Sequence, residues 1–231
     1  MPDYFLPPNT LLSVPVNVSE AIQAIEQFQG NSLTASLAEI EGRIAGFYSA
    51  HLSKFCASRQ IDESFIASAL AVKGIAGQIN VIIHASGILC ALPKLLKDSE
   101  VVESVSLGAG NTGRQFDLQT NQRVAEFKFI DWQGGAESIR QNGIFKDFFA
   151  FAEHETDKEK YLYVVGTHYP LRFFGGGRAL TSVLSKQPDI AEQVREKYGD
   201  TVRVVRDYYA LHENEVQICD VSPYIGREPS F

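Results

Sequence analysis

The run Val124-Ala125-Glu126-Phe127-Lys128-Phe129-Ile130 constrains this chain more than any other. Alternate side chains of a strand share a face. The run therefore predicts a strand that buries Ala125, Phe127 and Phe129 and turns Glu126 and Lys128 the other way. Phe116-Asp117-Leu118 precedes it, joined by the turn-like Thr120-Asn121-Gln122-Arg123. With Asn121 and Gln122 as a two-residue hairpin loop, Asp117 lies opposite Glu126 and Gln115 opposite Lys128. Phe116 then faces Phe127 on the buried side. Two carboxylates opposed at about 5 Å repel unless a positive charge sits between them. A divalent metal ion answers that need, and a Lys two residues on can hold or activate a water.

The rest of the chain is ordinary in composition. Its 231 residues suffice for one large domain or for a core with an added lobe. With 45% hydrophobic and 21% charged residues it reads as globular. Cys56, Cys90 and Cys219 are odd in number and scattered, which argues against a disulfide framework and against zinc spacing. The most apolar stretch, 81–96, is interrupted by His84, Ser86, Gly87, Pro93 and Lys94. No signal peptide and no bilayer span is expected, so the expectation is a cytoplasmic protein without a membrane partner. A net charge of −7 does not advertise a phosphate binder. Summed charge does not set the local field, however. Arg172 and Arg178 flank a glycine run, Arg140 and Lys146 follow the hairpin, and Arg203 and Arg206 fall in a late apolar run read as a strand.

Periodicity divides the chain in two. Residues 1–80 read as a Pro-rich arm, 1–17, that packs on the body, followed by a helical lobe. The lobe's helices are expected at 19–29, 33–58 and 62–74, the last ending at Gly74. Residues 81–231 read as an α/β (α+β) core with a mixed sheet. Its order is helix 82–97, strand 101–107, the hairpin, helix 137–153, strand 161–166, a short helix at 179–184, helix 189–198 and strand 202–211. Gly108, Gly110 and Gly113 match Gly-x-Gly-x-x-Gly, but a strand follows where a dinucleotide loop requires a helix. That stretch is expected to be a flexible turn at the mouth of a cleft. Gly175–Gly177 reads as a mobile loop, with anion binding through its backbone N–H groups as the other option. No nucleophile elbow supports a serine hydrolase.

Asp117, eight intervening residues and then Glu126-x-Lys128 resembles the signature of the PD-(D/E)XK nuclease superfamily. The element order resembles that family's restriction-endonuclease-like core over 81–211. The resemblance implies a Mg²⁺- or Mn²⁺-dependent nuclease. Asp117 and Glu126 would bind the metal, and Lys128 would assist the attacking water. The implied partner is nucleic acid, DNA before RNA, and the chain acts as a possible homodimer. Phe116 stands where the signature has Pro. Gln141 with Phe145 resembles the Gln-x-x-x-Tyr box of some recombination exonucleases, with Phe in place of Tyr. Many members also supply a Glu from the helix before the first strand, and 81–97 contains none. Glu103, Glu39 or Glu41 could substitute, and Gln141, Glu103 and Arg178 are the expected supporting residues. His84 reads as a satisfied histidine rather than a ligand. Two alternatives stay open. Glu126 and Lys128 could form the solvated face of an edge strand, and the chain could be a catalytically silent nuclease-fold protein with a binding, regulatory or structural role.

Overall fold

The computed structural model describes residues 17–108, 113–130, 132, 134 and 137–227. The arm at 1–16 and most of the glycine-rich turn, 109–112, lie outside the described residues. The chain divides into two compact units, Met1–Ile79 and Asn80–Phe231.

The first unit contains α1 (Val18–Gln29), α2 (Leu33–Ile44), α3 (Ser49–Ser58) and the start of α4 (Glu63–Leu95). Asn17, Ser32 and Asp62 cap the starts of α1, α2 and α4 by accepting backbone N–H bonds. The expected single helix over 33–58 is broken, because Gly46 adopts φ +80° and the chain turns there. Among the described residues of this unit, Ala21 and Phe55 are the buried apolar side chains.

Helix α4 runs for 33 residues, where the sequence suggested two helices. Gly74 does not take the left-handed conformation that would end it. By length and composition alone α4 could cross a membrane, against the expectation that no run could. Mostly buried core helices pass the same test, but only 11% of the apolar window of α4 is buried, with Ile88 and Ala91 as its fully buried side chains in the second unit.

In that unit β1 (Val102–Val105), β2 (Leu118–Thr120) and β3 (Arg123–Lys128) form an antiparallel meander. Helix α5 (Ser138–Ala152) crosses to β4 (Glu159–Val164), which pairs parallel to β3. Then come α6 (His168–Phe174), α7 (Leu180–Val183), α8 (Pro188–Tyr198) and α9 (Val205–His212). Finally β5 (Val216–Asp220) pairs parallel to β4. The five strands lie in sequence order in one mixed sheet.

Residues 202–211 were expected to be a strand, and the structure makes them α9 with its approach. Asp207 accepts the backbone N–H groups of Arg203 and Val204, and Val205, Tyr208 and His212 share the buried helical stripe. Arg203 and Arg206 therefore sit at a helix start. The last strand is instead the short alternating run at β5.

Both faces of the sheet are covered. Leu118, Ala125, Phe127 and Phe129 pack with Ile88 and Ala91 of α4. Val124, Leu162, Val164 and Val216 pack with Phe145, Phe148 and Tyr208 on the opposite face. Gly87 lets α4 come this close: a Cβ there would stand 2.6 Å from the Phe129 ring.

The start of β3 is locked by a buried ion pair. Arg123 donates through Nε and Nη2 to both oxygens of Glu100 at 2.6 Å, and through Nη1 to the Tyr163 hydroxyl at 2.8 Å. Thr120 donates to Glu100 at 2.7 Å, and Arg123 lies 4.9 Å over the Tyr161 ring. Removing one partner of such a pair leaves an uncompensated buried charge. Glu100→Ala is expected to cost about 3–5 kcal/mol of unfolding free energy in urea titration. An exposed pair such as Lys97–Glu159, truncated at Lys97, should cost under about 1 kcal/mol.

Candidate active site

Strand β3 is central, between β2 and β4, so the edge-strand reading of Glu126 and Lys128 does not hold. Its pairing with β2 aligns Leu118 with Ala125 and Gln119 with Val124. That register carries Asp117 opposite Glu126, as the two-residue loop predicts. The ladder stops at Leu118, however, so Gln115 does not pair with Lys128. Asp117 Oδ2 instead accepts the Phe127 N–H at 2.9 Å, which fixes this carboxylate against β3. Phe116 departs from expectation too. It turns away from Phe127 and stacks on Phe151 of α5, centroids 4.6 Å apart.

Lys128 Nζ lies 2.7 Å from Glu126 Oε1 and 2.9 Å from Asp147 Oδ2. A β3 lysine is thus bound by its neighbour two residues back and by an α5 carboxylate. Across the site His84 Nε2 of α4 stands 3.2 Å from Asp117 Oδ1. At that distance the half-buried imidazole and the carboxylate pair directly. His84, Asp117, Glu126, Lys128, Asp147 and Arg140 share one cavity of about 460 Å³, with Trp132 and Ile144 among its apolar walls.

This crowding shifts the protonation equilibria. Burial pushes the Glu126 carboxyl up to about 7; Lys128 opposes the shift, while Asp147 and Asp117 add to it. Burial likewise raises Asp147, against the pull of Lys128. For Lys128 burial works against the charge, but Asp147 and Glu126 win and hold the ammonium above its ordinary range. Asp117 holds His84 above the ordinary imidazole value, against the effect of burial.

The supporting residues divide. Gln141 and Arg178 do meet, with the guanidinium donating to Gln141 Oε1, but they line a second cavity of about 440 Å³. Glu103 is not brought to the site. It lies on β1 at the sheet edge, paired with Lys158 at 2.6 Å and accepting from Gln119. Glu39 pairs with Arg43 and Arg59 inside the first unit. Two residues in the cavity were not chosen from sequence. Asp147 is one turn beyond Gly143 and Ile144 on the α5 stripe that starts at Arg140, and that spacing was the available signal. His84 was read as a satisfied histidine rather than a ligand; it is indeed met by Asp117, and that pairing brings it into the cavity.

Among the described residues no group of three or more His, Cys, Asp or Glu side chains closes into a metal-ligating set. Mg²⁺ commonly takes only one or two carboxylates, completing its shell with water and substrate phosphate. Asp117 and Glu126, hard oxygen donors opposed across an antiparallel pair, fit that mode. No family model matches the chain, and neither a curated protein nor a solved structure is significantly similar to it.

Folding raises the Glu126 pKa from 4.5 to about 7, so the fold favours its protonated form. The stability this contributes is fully present below the unfolded pKa and lost as pH rises through the folded one. Metal-free protein is expected to lose on the order of 3 kcal/mol between about pH 5 and about pH 8 through this group. Urea unfolding of Glu126→Gln across the same range should show a flatter profile.

Proposed function

We propose that this chain is a metal-dependent nuclease of the PD-(D/E)XK superfamily with a restriction-endonuclease-like core. Its proposed substrate is the phosphodiester backbone of DNA, in preference to RNA. The observation that carries this reading is the recess that Asp117, just ahead of β2, lines together with Glu126 and Lys128 of β3. The order of helix, antiparallel meander, crossover helix and parallel strand supports it.

Asp117 and Glu126 would hold Mg²⁺ or Mn²⁺. When bound, such an ion supplies Lewis acidity toward a phosphoryl oxygen and makes a bound water more acidic. The protein's own groups do the rest. The Phe127 N–H fixes Asp117, and His84 supports its charge. Lys128 is an ammonium at working pH, so it donates hydrogen bonds but cannot take a proton. Its role is to orient water and stabilise developing negative charge. Asp147 holds Lys128 in place from α5. A silent nucleic-acid-binding protein on the same scaffold is the second reading, favoured by Lys128 already being met by two carboxylates.

Plasmid and oligonucleotide cleavage in Mg²⁺, Mn²⁺ and EDTA separates the two. Asp117→Asn, Glu126→Gln and Lys128→Ala should each lower the rate by about 10²–10³-fold. Asp147→Asn, acting through Lys128, should lower it by about tenfold. Cleavage in EDTA, or wild-type rates in Lys128→Ala, would overturn the nuclease reading.

Metal binding must displace the Glu126 proton. Mn²⁺ affinity measured by calorimetry is therefore expected to rise by about tenfold per pH unit up to about 7 and then level off. In Glu126→Gln that rise should be absent.

A further inference from the structure

We propose that the second cavity is a nucleotide subsite. It seats one unpaired nucleotide beside the scissile bond, with the phosphate on Arg172 and Arg178 and the base against Trp132 and Tyr169. The proposal rests on the nuclease reading and extends it to substrate form: the enzyme takes single-stranded or frayed DNA in preference to continuous duplex.

Charge supports the assignment first. The chain carries a net −7, yet this cavity presents Arg172 and Arg178 and, among the described residues, no carboxylate. Arg178 is aimed by Gln141, with Ser182 Oγ 3.3 Å from its Nη2. Arg172 ends α6, is exposed, and enters no ion pair among the described residues. Two guanidinium groups present planar sets of donors that match phosphate oxygens. The rim between them is open space at Gly177, where even an added Cβ would meet nothing within 4 Å.

The aromatic wall is the second, independent observation. Trp132 and Tyr169 stack at 6.5 Å with an interplanar angle of 26°, and Phe173 backs Trp132 at 6.0 Å. The Trp132 indole N–H is buried, with no hydrogen-bond partner among the described residues. Bases stack on such faces whatever their identity.

Position and size then set the geometry. Trp132 lines both cavities, so an occupant of the second lies next to the carboxylate recess. A volume of about 440 Å³ matches a single small ligand, and a base pair inside intact duplex cannot enter.

Trp132 is the chain's one tryptophan, so its fluorescence reports on the two cavities it lines, and Arg172→Ala assigns the signal to the second. The full chain in EDTA is titrated with single-stranded oligothymidylate, with a blunt duplex and with inorganic phosphate. Saturable quenching by the single strand alone is expected, weakened about tenfold in Arg172→Ala. Arg172→Ala is exposed and should leave the circular dichroism spectrum unchanged; Arg178→Lys provides a second variant. Unmoved fluorescence, equal quenching by duplex or by phosphate, or wild-type affinity in Arg172→Ala would overturn the subsite. Cleavage in Mg²⁺ is scored separately. Quenching without cleavage keeps the subsite and removes the nuclease reading, and cleavage without quenching does the reverse.

Discussion

Strand β3 places charges where water cannot reach them freely, and much of the second unit is arranged around that fact. Four of its six residues are buried and two half-buried, yet Arg123, Glu126 and Lys128 are among them. A lone buried charge costs far more than a domain's net stability allows, so each must be met from another element. Arg123 brings in Glu100 from before β1 and the Tyr163 hydroxyl from β4. Lys128 brings in Asp147 from α5. Those demands fix the register of the meander and the seat of the crossover helix, while the apolar faces supply the bulk attraction.

The two ends of β3 balance differently. At Arg123 one guanidinium meets one carboxylate plus neutral hydroxyls, and Glu100 is held below the ordinary carboxylate range despite its burial. At Lys128 three carboxylates, Asp117, Glu126 and Asp147, share the cavity with Lys128, Arg140 and His84. Burial there pushes the Glu126 carboxyl up to about 7, with Asp147 and Asp117 adding to the shift. A closed pair stabilises a fold. A cluster of coupled charges in a cavity is a place where an added cation or a titrating group changes the energy most.

The parts of this arrangement that depend on local period were legible in the sequence. Alternation around Phe127 gave β3 its two faces, and the Asn121-Gln122 loop set Asp117 against Glu126. What stayed hidden depends on docking. Asp147 sits in the polar gap of a helix whose aromatic stripe is obvious, and only the packing of α5 on β3 turns it toward Lys128. His84 lies on a helix apolar on nearly every side, so no moment indicated which face would meet the sheet. Gly74 reads as a stop signal, but glycine permits a left-handed cap without imposing one. At 202–211 the β-branched run outweighed a single cap residue, Asp207, and the helix was missed. Phe116 shows the limit of strand logic itself: its segment is irregular, and stacking on Phe151 decided its face.

Helix α5 ties the two cavities together. Arg140, Ile144 and Asp147 look toward the carboxylate recess, and Gln141 toward the arginine cavity, with Trp132 shared between them. Trp132 thereby separates a recess of mixed charge, three carboxylates with Lys128, Arg140 and His84, from a cavity whose charged groups among the described residues are Arg172 and Arg178. On the proposed reading, a polynucleotide needs both. The carboxylates gather the cation that masks one phosphate, and the guanidinium groups take its neighbour. A net charge of −7 then carries little information about such a site, because among the described residues the second cavity presents guanidinium groups and no carboxylate.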